Sequence, residues 1–219
     1  MYWWAYRAAC AADLIAEVYV ATADAEVVKS CEAHEVPVIL TSDGPKTGTD
    51  RVAEAAQQLD HATHVINLQA DEPTITSNVL NTLAEHLIVT QCGMITLATT
   101  KYSMADFDDP NCVKVKVDAH GAATAFVRVP DELDDPDVFL MHVGVYGFSM
   151  ESLEAFVRLP ASNAERMNRL EQLRALAAGW EIRVVETHWS GLGVDTPQDL
   201  ARVKELMDRG RRDAADHTY

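Results

Sequence analysis

Two acidic residues, Asp71 and Glu72, directly follow a short apolar run in the stretch HVINLQADEPTI, residues 64–75. The run favours a buried strand, and Pro73 marks its end. A carboxylate at the tip of a strand suits a hard cation such as Mg²⁺, which usually binds one or two protein carboxylates together with substrate phosphates. Asp-Glu-Pro is equally typical of a solvated turn, and these residues alone leave both interpretations open.

A second acidic position, Asp195, lies in SGLGVDTPQDL, residues 190–200, just before a capped helix. Gly191 and Gly193 allow the chain to approach a ligand closely. Asp195 also suits the helix N-terminus by itself, where a negative charge is favourable. Ligands of open α/β sheets bind beyond the carboxyl ends of the strands, so we expect Asp71 and Asp195 at the same sheet edge. A shared metal ion would explain the pair.

The loop TSDGPKTGTDR, residues 41–51, is polar, contains glycine and opens a helix at Thr49. The N–H groups at a helix start favour anions or polar rings. An ordinary strand-to-helix loop with a good capping residue has the same composition.

Two further groups of residues have weaker patterns. His142 and Tyr146 are four apart in a predicted strand and face the same side, as packed core residues also do. Glu171 and Gln172 lie in AERMNRLEQLRAL, which by itself favours a solvated helix face.

Strands and helices alternate through the first half of the chain. The predicted strands cover residues 17–22, 36–40, 64–69 and 94–99, and the predicted helices cover 2–13, 24–33, 49–59 and about 76–87. Such alternation predicts an α/β fold with a mostly parallel sheet covered on both faces.

The pattern then changes to an inserted β-rich subregion. We expect a hairpin over 113–118 and 122–129, a strand over 139–149, a helix over about 163–178, a strand over 181–186 and a last helix from 196 to about 209. Lys114 and Lys116 alternate with apolar residues, which predicts that one face of the hairpin is exposed to solvent. We expect a single domain over residues 1–209 and a flexible tail over 210–219.

Composition restricts the partners. Thirty-four acidic residues against 18 basic ones give a formal charge of −16, which disfavours nucleic acid. The apolar runs are shorter than the roughly 18 residues that a membrane helix needs. The four cysteines are widely spaced, as in reduced cytosolic proteins, and MYWWAYRAAC lacks the pattern of a signal peptide. We expect a soluble cytoplasmic protein.

Seven stretches, taken in order, resemble one family. They are ATAD (21–24), TGTDR (47–51), NLQADEP (67–73), DPNCVKVKVDAHG (109–121), HVGVYGF (142–148), LEQLR (170–174) and GLGVDTPQDL (191–200). This colinear set is similar to the motifs of the 3-deoxy-manno-octulosonate cytidylyltransferase (CMP-Kdo synthetase) family, which has a Rossmann-like nucleotidyltransferase fold.

The resemblance implies a homodimeric enzyme that transfers CMP from CTP to an acidic 3-deoxy sugar and releases pyrophosphate, for lipopolysaccharide or other surface-glycan precursors. It implies roles for eleven residues: Asp71 and Asp195 as catalytic Mg²⁺ ligands, Thr47, Gly48 and Arg51 at the nucleotide, and Gln69, Arg128, His142, Tyr146, Glu171 and Gln172 at the sugar acid.

The chain also departs from the family pattern. The family begins with a strand and a basic glycine-containing loop around the triphosphate, whereas MYWWAYRAAC matches the helix after that loop, so we expect the first strand of the sheet to be missing. Val127 replaces a serine and Asn168 stands where a glutamate is usual. The alternatives are a non-catalytic homologue that acts as a nucleotide-sensing or partner module, and a cytidylyltransferase for a different small acid.

Overall fold

The computed structural model describes residues 1–131, 135–189, 193–194 and 196–216, with side chains as far as residue 207. The helices are α1 (Tyr2–Cys10), α2 (Ala25–Ala33), α3 (Gly48–Ala56), α4 (Ser77–Thr90), α5 (Met104–Asp108), α6 (Met150–Arg158), α7 (Asn163–Asn168), α8 (Leu173–Ala177) and α9 (Pro197–Asp216). The strands are β1 (Val20–Thr22), β2 (Val38–Leu40), β3 (His64–Leu68), β4 (Met94–Thr99), β5 (Lys114–Val117), β6 (Ala123–Val127), β7 (Leu140–Ser149) and β8 (Arg183–Thr187).

The six-stranded sheet is built around β7. This strand pairs antiparallel with β4 along one edge, and with β3 and then β5 along the other. β8 pairs parallel with β4, and β6 pairs antiparallel with β5 as the predicted hairpin. β3, β4, β5 and β8 therefore run in one direction, and β6 and β7 in the other. The α/β class is confirmed, but β3 has no parallel neighbour among the described residues, because β7 enters between β3 and β4 in the opposite direction.

β1 and β2 form a separate, parallel two-stranded sheet. A cavity of about 580 Å³ is lined by both β1 and β3, together with apolar side chains of α1, α3 and α4. In the described part of the chain β1 pairs with β2 alone, so the cavity divides the two sheets.

Apolar side chains cover both faces of the large sheet, as the sequence predicts. Alternate residues of β4 enter different clusters: Met94 and Ala98 pack with α3, α6 and α8, whereas Ile95 and Leu97 pack with α1 and α4. Because successive side chains of a strand point to opposite faces, one wholly buried strand supplies both cores.

The start of α3 differs from the prediction. Thr47, not Thr49, is the N-cap residue: its hydroxyl accepts the N–H of Asp50, and the carboxylate of Asp50 accepts the N–H of Thr47. This reciprocal capping box satisfies main-chain donors at the helix start. Thr49 therefore lies inside the first turn, where its side chain is free of any capping role.

The single helix predicted over 163–178 is wrong. Two short helices, α7 and α8, replace it, because Arg169 takes a left-handed conformation with φ of 54°. The segment with Glu171 and Gln172 is thus a turn between two helices, not an exposed helix face.

The last helix ends later than predicted. α9 continues to Asp216, into the stretch that the sequence assigned to a tail, and residues 217–219 lie outside the described part. No helix in the described part of the chain combines the length and the hydropathy that crossing a membrane requires.

The prediction that one face of the hairpin is exposed to solvent is also wrong at Lys114, which is fully buried. Its ammonium donates to the main-chain carbonyls of Asp109, Cys112 and Arg128, each at 2.7 Å. Three carbonyl oxygens match the three N–H donors of an ammonium, which makes burial of the charge tolerable. Burial nevertheless lowers the pKa of Lys114.

Candidate active site

The turn after β3 brings Asp71 beside the segment that leads to Asp195. The main-chain N–H of Val194 donates to the carbonyl of Asp71 at 2.9 Å. The carboxylate of Glu72 lies close to the same segment, since a Cβ atom built on Gly193 would stand 3.5 Å from Glu72 Oε1. Asp195 itself lies outside the described residues. The turn that carries Asp71 therefore meets the chain at Val194, and the described residues contain no cluster of three or more His, Cys, Asp or Glu that could hold a metal ion.

A chain of hydrogen bonds runs inward from this edge of the sheet. Gln69 Nε2 donates to Asn67 Oδ1 at 3.0 Å, and Asn67 Nδ2 donates to Thr49 Oγ1 at 2.9 Å. The Thr49 hydroxyl then donates to Oε1 of Glu171. Asn67 and Thr49 are each 1% exposed. Four polar side chains from β3, α3 and the α7–α8 turn are thereby held in one arrangement.

Gly48 allows α3 to approach the tip of β3. A Cβ atom at this position would stand 2.6 Å from Gln69 Nε2, closer than atoms normally come. Any larger residue would have to displace the Gln69 side chain. Gly48 and Gln69, which the resemblance assigns to different substrates, are therefore in direct contact.

Arg51 secures the loop that precedes α3. Its Nη1 donates to Thr41 Oγ1 at 2.5 Å and to the carbonyl of Ser42 at 3.3 Å. Glu54 accepts from the main chain and hydroxyl of Ser42, at 2.5 and 2.8 Å, and these bonds lower the pKa of its carboxyl group. Arg51 and Glu54 of α3 thus both hold the start of the loop, at Thr41 and Ser42, against the helix that follows it.

His142 is held by Thr96 at an irregularity of the sheet. The pairing of β4 with β7 shifts register after Thr96, and the Thr96 hydroxyl lies 2.8 Å from the carbonyl of Val145 and 2.9 Å from His142 Nε2. Since the hydroxyl has one proton and Val145 can only accept it, we assign the Nε2 proton to His142, which leaves Nδ1 as an acceptor. Burial lowers the pKa of His142 to about 3, so its ring is neutral near pH 7.

Tyr146 and Glu171 are the neighbouring pair on this side. The Tyr146 ring centroid lies 5.4 Å from that of His142, which confirms that these residues share a face. Burial, and then the charge of Glu171, raise the pKa of Tyr146 well above its usual value. Among the described residues, neither the Tyr146 hydroxyl nor Glu171 Oε2 has a hydrogen-bond partner, although both atoms are buried. Because buried polar atoms are nearly always paired, these two indicate a place for polar ligand groups.

Arg128 and Gln172 are the remaining residues that the resemblance assigns to the sugar acid. The Arg128 guanidinium donates to the carbonyls of Asn168, Pro110 and Arg169 at 2.9, 3.0 and 3.4 Å. It therefore joins the end of the hairpin to the turn that carries Glu171. Gln172 is 3% exposed and stands at the N-cap position of α8.

Comparison with known proteins identifies the family of this chain. Residues 1–183 match the family model described as cytidylyltransferase. The 3-deoxy-manno-octulosonate cytidylyltransferase of Polynucleobacter necessarius subsp. necessarius is 39% identical, over 88% of this chain and 80% of the relative. That of Geobacter metallireducens is 38% identical, over 93% and 86%.

The chain belongs to the 3-deoxy-manno-octulosonate cytidylyltransferase family. It is an enzyme of the nucleotidyltransferase class. Among solved structures it is similar to the CMP:2-keto-3-deoxy-manno-octonic acid synthetase complexed with CTP. The TM-score is 0.87 and the identity 34%, over 95% of this chain and 87% of that one. The resemblance read from the motifs, and the nucleotidyltransferase fold it implied, are confirmed.

Three residues of this cytidylyltransferase were missed by sequence reasoning: Asn67, Thr49 and Thr96. Asn67 and Gln69 are polar residues at alternate positions near the tip of β3, a pattern that could have indicated a polar face directed at the site. Thr49 was interpreted as a cap, and Thr96 lies in an apolar run without any local feature. Their importance depends on partners far away in the sequence.

Proposed function

We propose that this cytidylyltransferase transfers CMP from CTP to the anomeric hydroxyl of Kdo or a closely related 3-deoxy sugar acid. The sugar oxygen forms a bond to the α-phosphorus, the bond to pyrophosphate breaks, and the hydroxyl proton is released. The observation that carries the acceptor site is that two buried polar atoms, the Tyr146 hydroxyl and Glu171 Oε2, have no hydrogen-bond partner among the described residues.

This pair suits a polyhydroxylated ligand. The carboxylate of Glu171, held on its other oxygen by Thr49, accepts a sugar hydroxyl, and the Tyr146 hydroxyl donates or accepts a second bond. The raised pKa of Tyr146 keeps its proton in place. His142 Nδ1 adds an acceptor on the same face. The neutral His142 ring is rigid because Thr96 binds its other nitrogen.

The nucleotide lies, in this proposal, at the start of α3. Thr47, Gly48 and Arg51 line that turn, and the first N–H groups of a helix favour polar or anionic groups. The proximity of Gly48 to Gln69 supports a nucleotide side directly beside the sugar side. This proximity supports a reaction between two bound substrates.

Asp71 and Asp195 are the proposed ligands of Mg²⁺. The hydrogen bond from Val194 to the carbonyl of Asp71 brings the two segments together, and carboxylate oxygens are the donors that Mg²⁺ prefers. When bound, the ion neutralises phosphate and carboxylate charge and lowers the pKa of the attacking hydroxyl. Its role also makes a chain of net charge −16 compatible with two anionic substrates.

We further propose that the enzyme works as a cytoplasmic homodimer that activates a precursor of lipopolysaccharide or another surface glycan. The names of its relatives support the acceptor class.

The test is release of pyrophosphate from CTP with Kdo and Mg²⁺, compared with a panel of 2-keto-3-deoxy sugar acids and with the other nucleoside triphosphates. We expect turnover with CTP and one of these acids. CTP binding in calorimetry without turnover on any acid would contradict the proposal and identify a nucleotide-binding homologue instead.

A cytidylyltransferase for a different small acid is the second candidate. The observation in its favour is Arg128, whose guanidinium is engaged by three main-chain carbonyls. An arginine so engaged has fewer N–H groups to offer an acceptor carboxylate. The same panel separates the two candidates by the ratio of kcat/KM between Kdo and the other acids.

A further inference from the structure

The guanidinium of Arg174 is buried behind the site and contacts two carboxylates. Its Nε donates to both carboxylate oxygens of Glu165, at 3.1 and 3.0 Å, and its Nη2 donates to Oε1 at 2.5 Å. Its Nη1 lies 3.6 Å from Oδ1 of Asp50, and the group lies over the Phe156 ring at 5.1 Å from the centroid. Arg174 is 6% exposed. This planar set of contacts is one that a lysine ammonium cannot reproduce.

Each of the two carboxylates also caps a helix. Glu165 Oε2 accepts the main-chain N–H of Ser162, as part of the capping box that opens α7. Asp50 Oδ2 accepts the N–H of Thr47, as part of the capping box that opens α3. Arg174 therefore connects the first turns of two helices that lie far apart in the sequence.

The first turn of α3 meets the α7–α8 segment at a second point. Thr49, adjacent to Asp50, donates its hydroxyl proton to Glu171, which lies in the turn just before Arg174. One contact is in the site and the other is behind it. Two contacts at separate points fix both the distance and the angle of α3 relative to Glu171. A single contact would allow α3 to rotate about it.

We infer that Arg174, together with Glu165, is a positioning residue that sets the nucleotide side of this active site against its acceptor side. It acts through Asp50 on the start of α3 and contacts neither substrate. The inference rests on the proposed function for the reaction that is measured. A displacement of about 1 Å between reacting groups can cost about 100-fold in rate, which is the scale that such a contact controls.

Arg174→Lys is the informative substitution, because it keeps the positive charge and removes the planar guanidinium with its several N–H donors. Arg158→Lys is the matched control, since Arg158 forms an exposed pair with Glu154 on α6. Both variants are assayed for pyrophosphate release well below their melting temperatures. We expect kcat/KM to fall about 10- to 100-fold for Arg174→Lys and to stay within about twofold of wild type for the control. A purely structural role predicts a lower melting temperature with unchanged kcat/KM and would overturn the inference.

A double-mutant cycle tests whether Arg174 and Thr49 act on the same geometry. Thr49→Val removes the contact inside the site, and Arg174→Lys removes the one behind it. If both hold α3 against Glu171, the loss in the double variant is smaller than the product of the two single losses. A loss equal to that product means independent effects and contradicts the inference.

Amide hydrogen exchange gives a readout that needs no turnover. We expect residues 48–51 to exchange faster in Arg174→Lys than in Arg158→Lys, because the first turn of α3 has lost its outer support. If wild type is inactive with every acceptor, the proposed function fails while exchange still decides the positioning role. Equal exchange in both variants overturns the inference. If Arg174→Lys does not fold, Glu165→Gln is measured in the same way, with the same expected directions.

Discussion

The hydroxyl of Thr49 donates a hydrogen bond to the carboxylate of Glu171, which lies 122 residues further along the chain. The same hydroxyl accepts the side-chain amide of Asn67, so one small group connects a strand tip, a helix start and a turn between two helices. In the proposed site, this connection fixes one oxygen of Glu171 and leaves the other for a ligand.

Thr49→Val should lower both stability and acceptor affinity. The variant keeps the shape of the side chain but leaves Asn67 and Glu171 without their buried partner. We expect the free energy of unfolding to fall by about 1–3 kcal/mol, measured by urea denaturation. Thr49→Ser keeps the hydroxyl and should restore most of the loss. Equal losses in the two variants would contradict this prediction, because Thr49→Ser retains the hydroxyl that forms both hydrogen bonds.

Tyr146→Phe should weaken binding of the acceptor without lowering the stability of the fold. Its hydroxyl lacks a partner among the described residues, so removing it costs the free protein nothing, whereas one hydrogen bond to the ligand is worth about 1.4 kcal/mol, or tenfold in KM. The KM for CTP should not change. Tyr102→Phe is the opposite control, since that hydroxyl donates to the carbonyls of Pro136 and Phe139. It should lower the melting temperature and leave KM unchanged.

His142 should make the protein less stable in mild acid. Its folded pKa of about 3 lies below the ordinary value of about 6.5, so unfolding takes up a proton. The resulting stability is complete above about pH 6.5 and is lost progressively as the pH falls toward 3. Linkage gives a loss of about 2 kcal/mol between pH 7 and pH 5 from this residue alone.

Urea denaturation at pH 5, 6 and 7 measures this dependence. His142→Gln keeps a donor for Thr96 but has no titrating ring, so its stability should change less over this range than that of wild type. The exposed His86 supplies the control, His86→Gln, which should retain the wild-type pH dependence. The same slope in all three proteins would contradict the assignment.

Asp71→Asn should impair the response to Mg²⁺. An amide is a weaker ligand for a hard cation than a carboxylate. We expect kcat to fall at least about 100-fold, or the Mg²⁺ concentration for half-maximal activity to rise about tenfold, measured as pyrophosphate release during a Mg²⁺ titration. Asp60→Asn, at an exposed position after α3, should behave as wild type. Wild-type Mg²⁺ dependence in Asp71→Asn would remove this residue from the proposed site.

Lys114→Met should be strongly destabilising. It would leave three main-chain carbonyls without the ammonium that binds them, at a cost of about 3 kcal/mol or more. Lys101→Met, at an exposed position, should have little effect. Urea midpoints of the two variants provide the comparison, and similar midpoints would show that the buried ammonium is dispensable.

The errors of sequence reasoning have a common origin. Lys114 was predicted to face water because alternation usually separates wet from buried residues, but the loop carbonyls that receive its ammonium come from three separate positions. Thr49 was interpreted as a helix cap because threonine is a common N-cap residue, although Thr47, two residues earlier, offers the same local pattern. In both cases the side chain lies where a partner brought near by the fold receives it: main-chain carbonyls at Lys114 and Glu171 at Thr49.

The sequence by itself determined the alternation of strands and helices in the first half of the chain, the β5–β6 hairpin, the strand tip with Asp71 and the membership of the family. These depend on backbone periodicity, turn residues and colinear motifs, which are local properties of the chain. Only the tertiary structure decided that Thr49 binds Glu171, that Arg174 joins two helix caps and that β7 enters between β3 and β4. Those contacts join residues that are distant in sequence, so their geometry exists only after the helices have packed on the sheet.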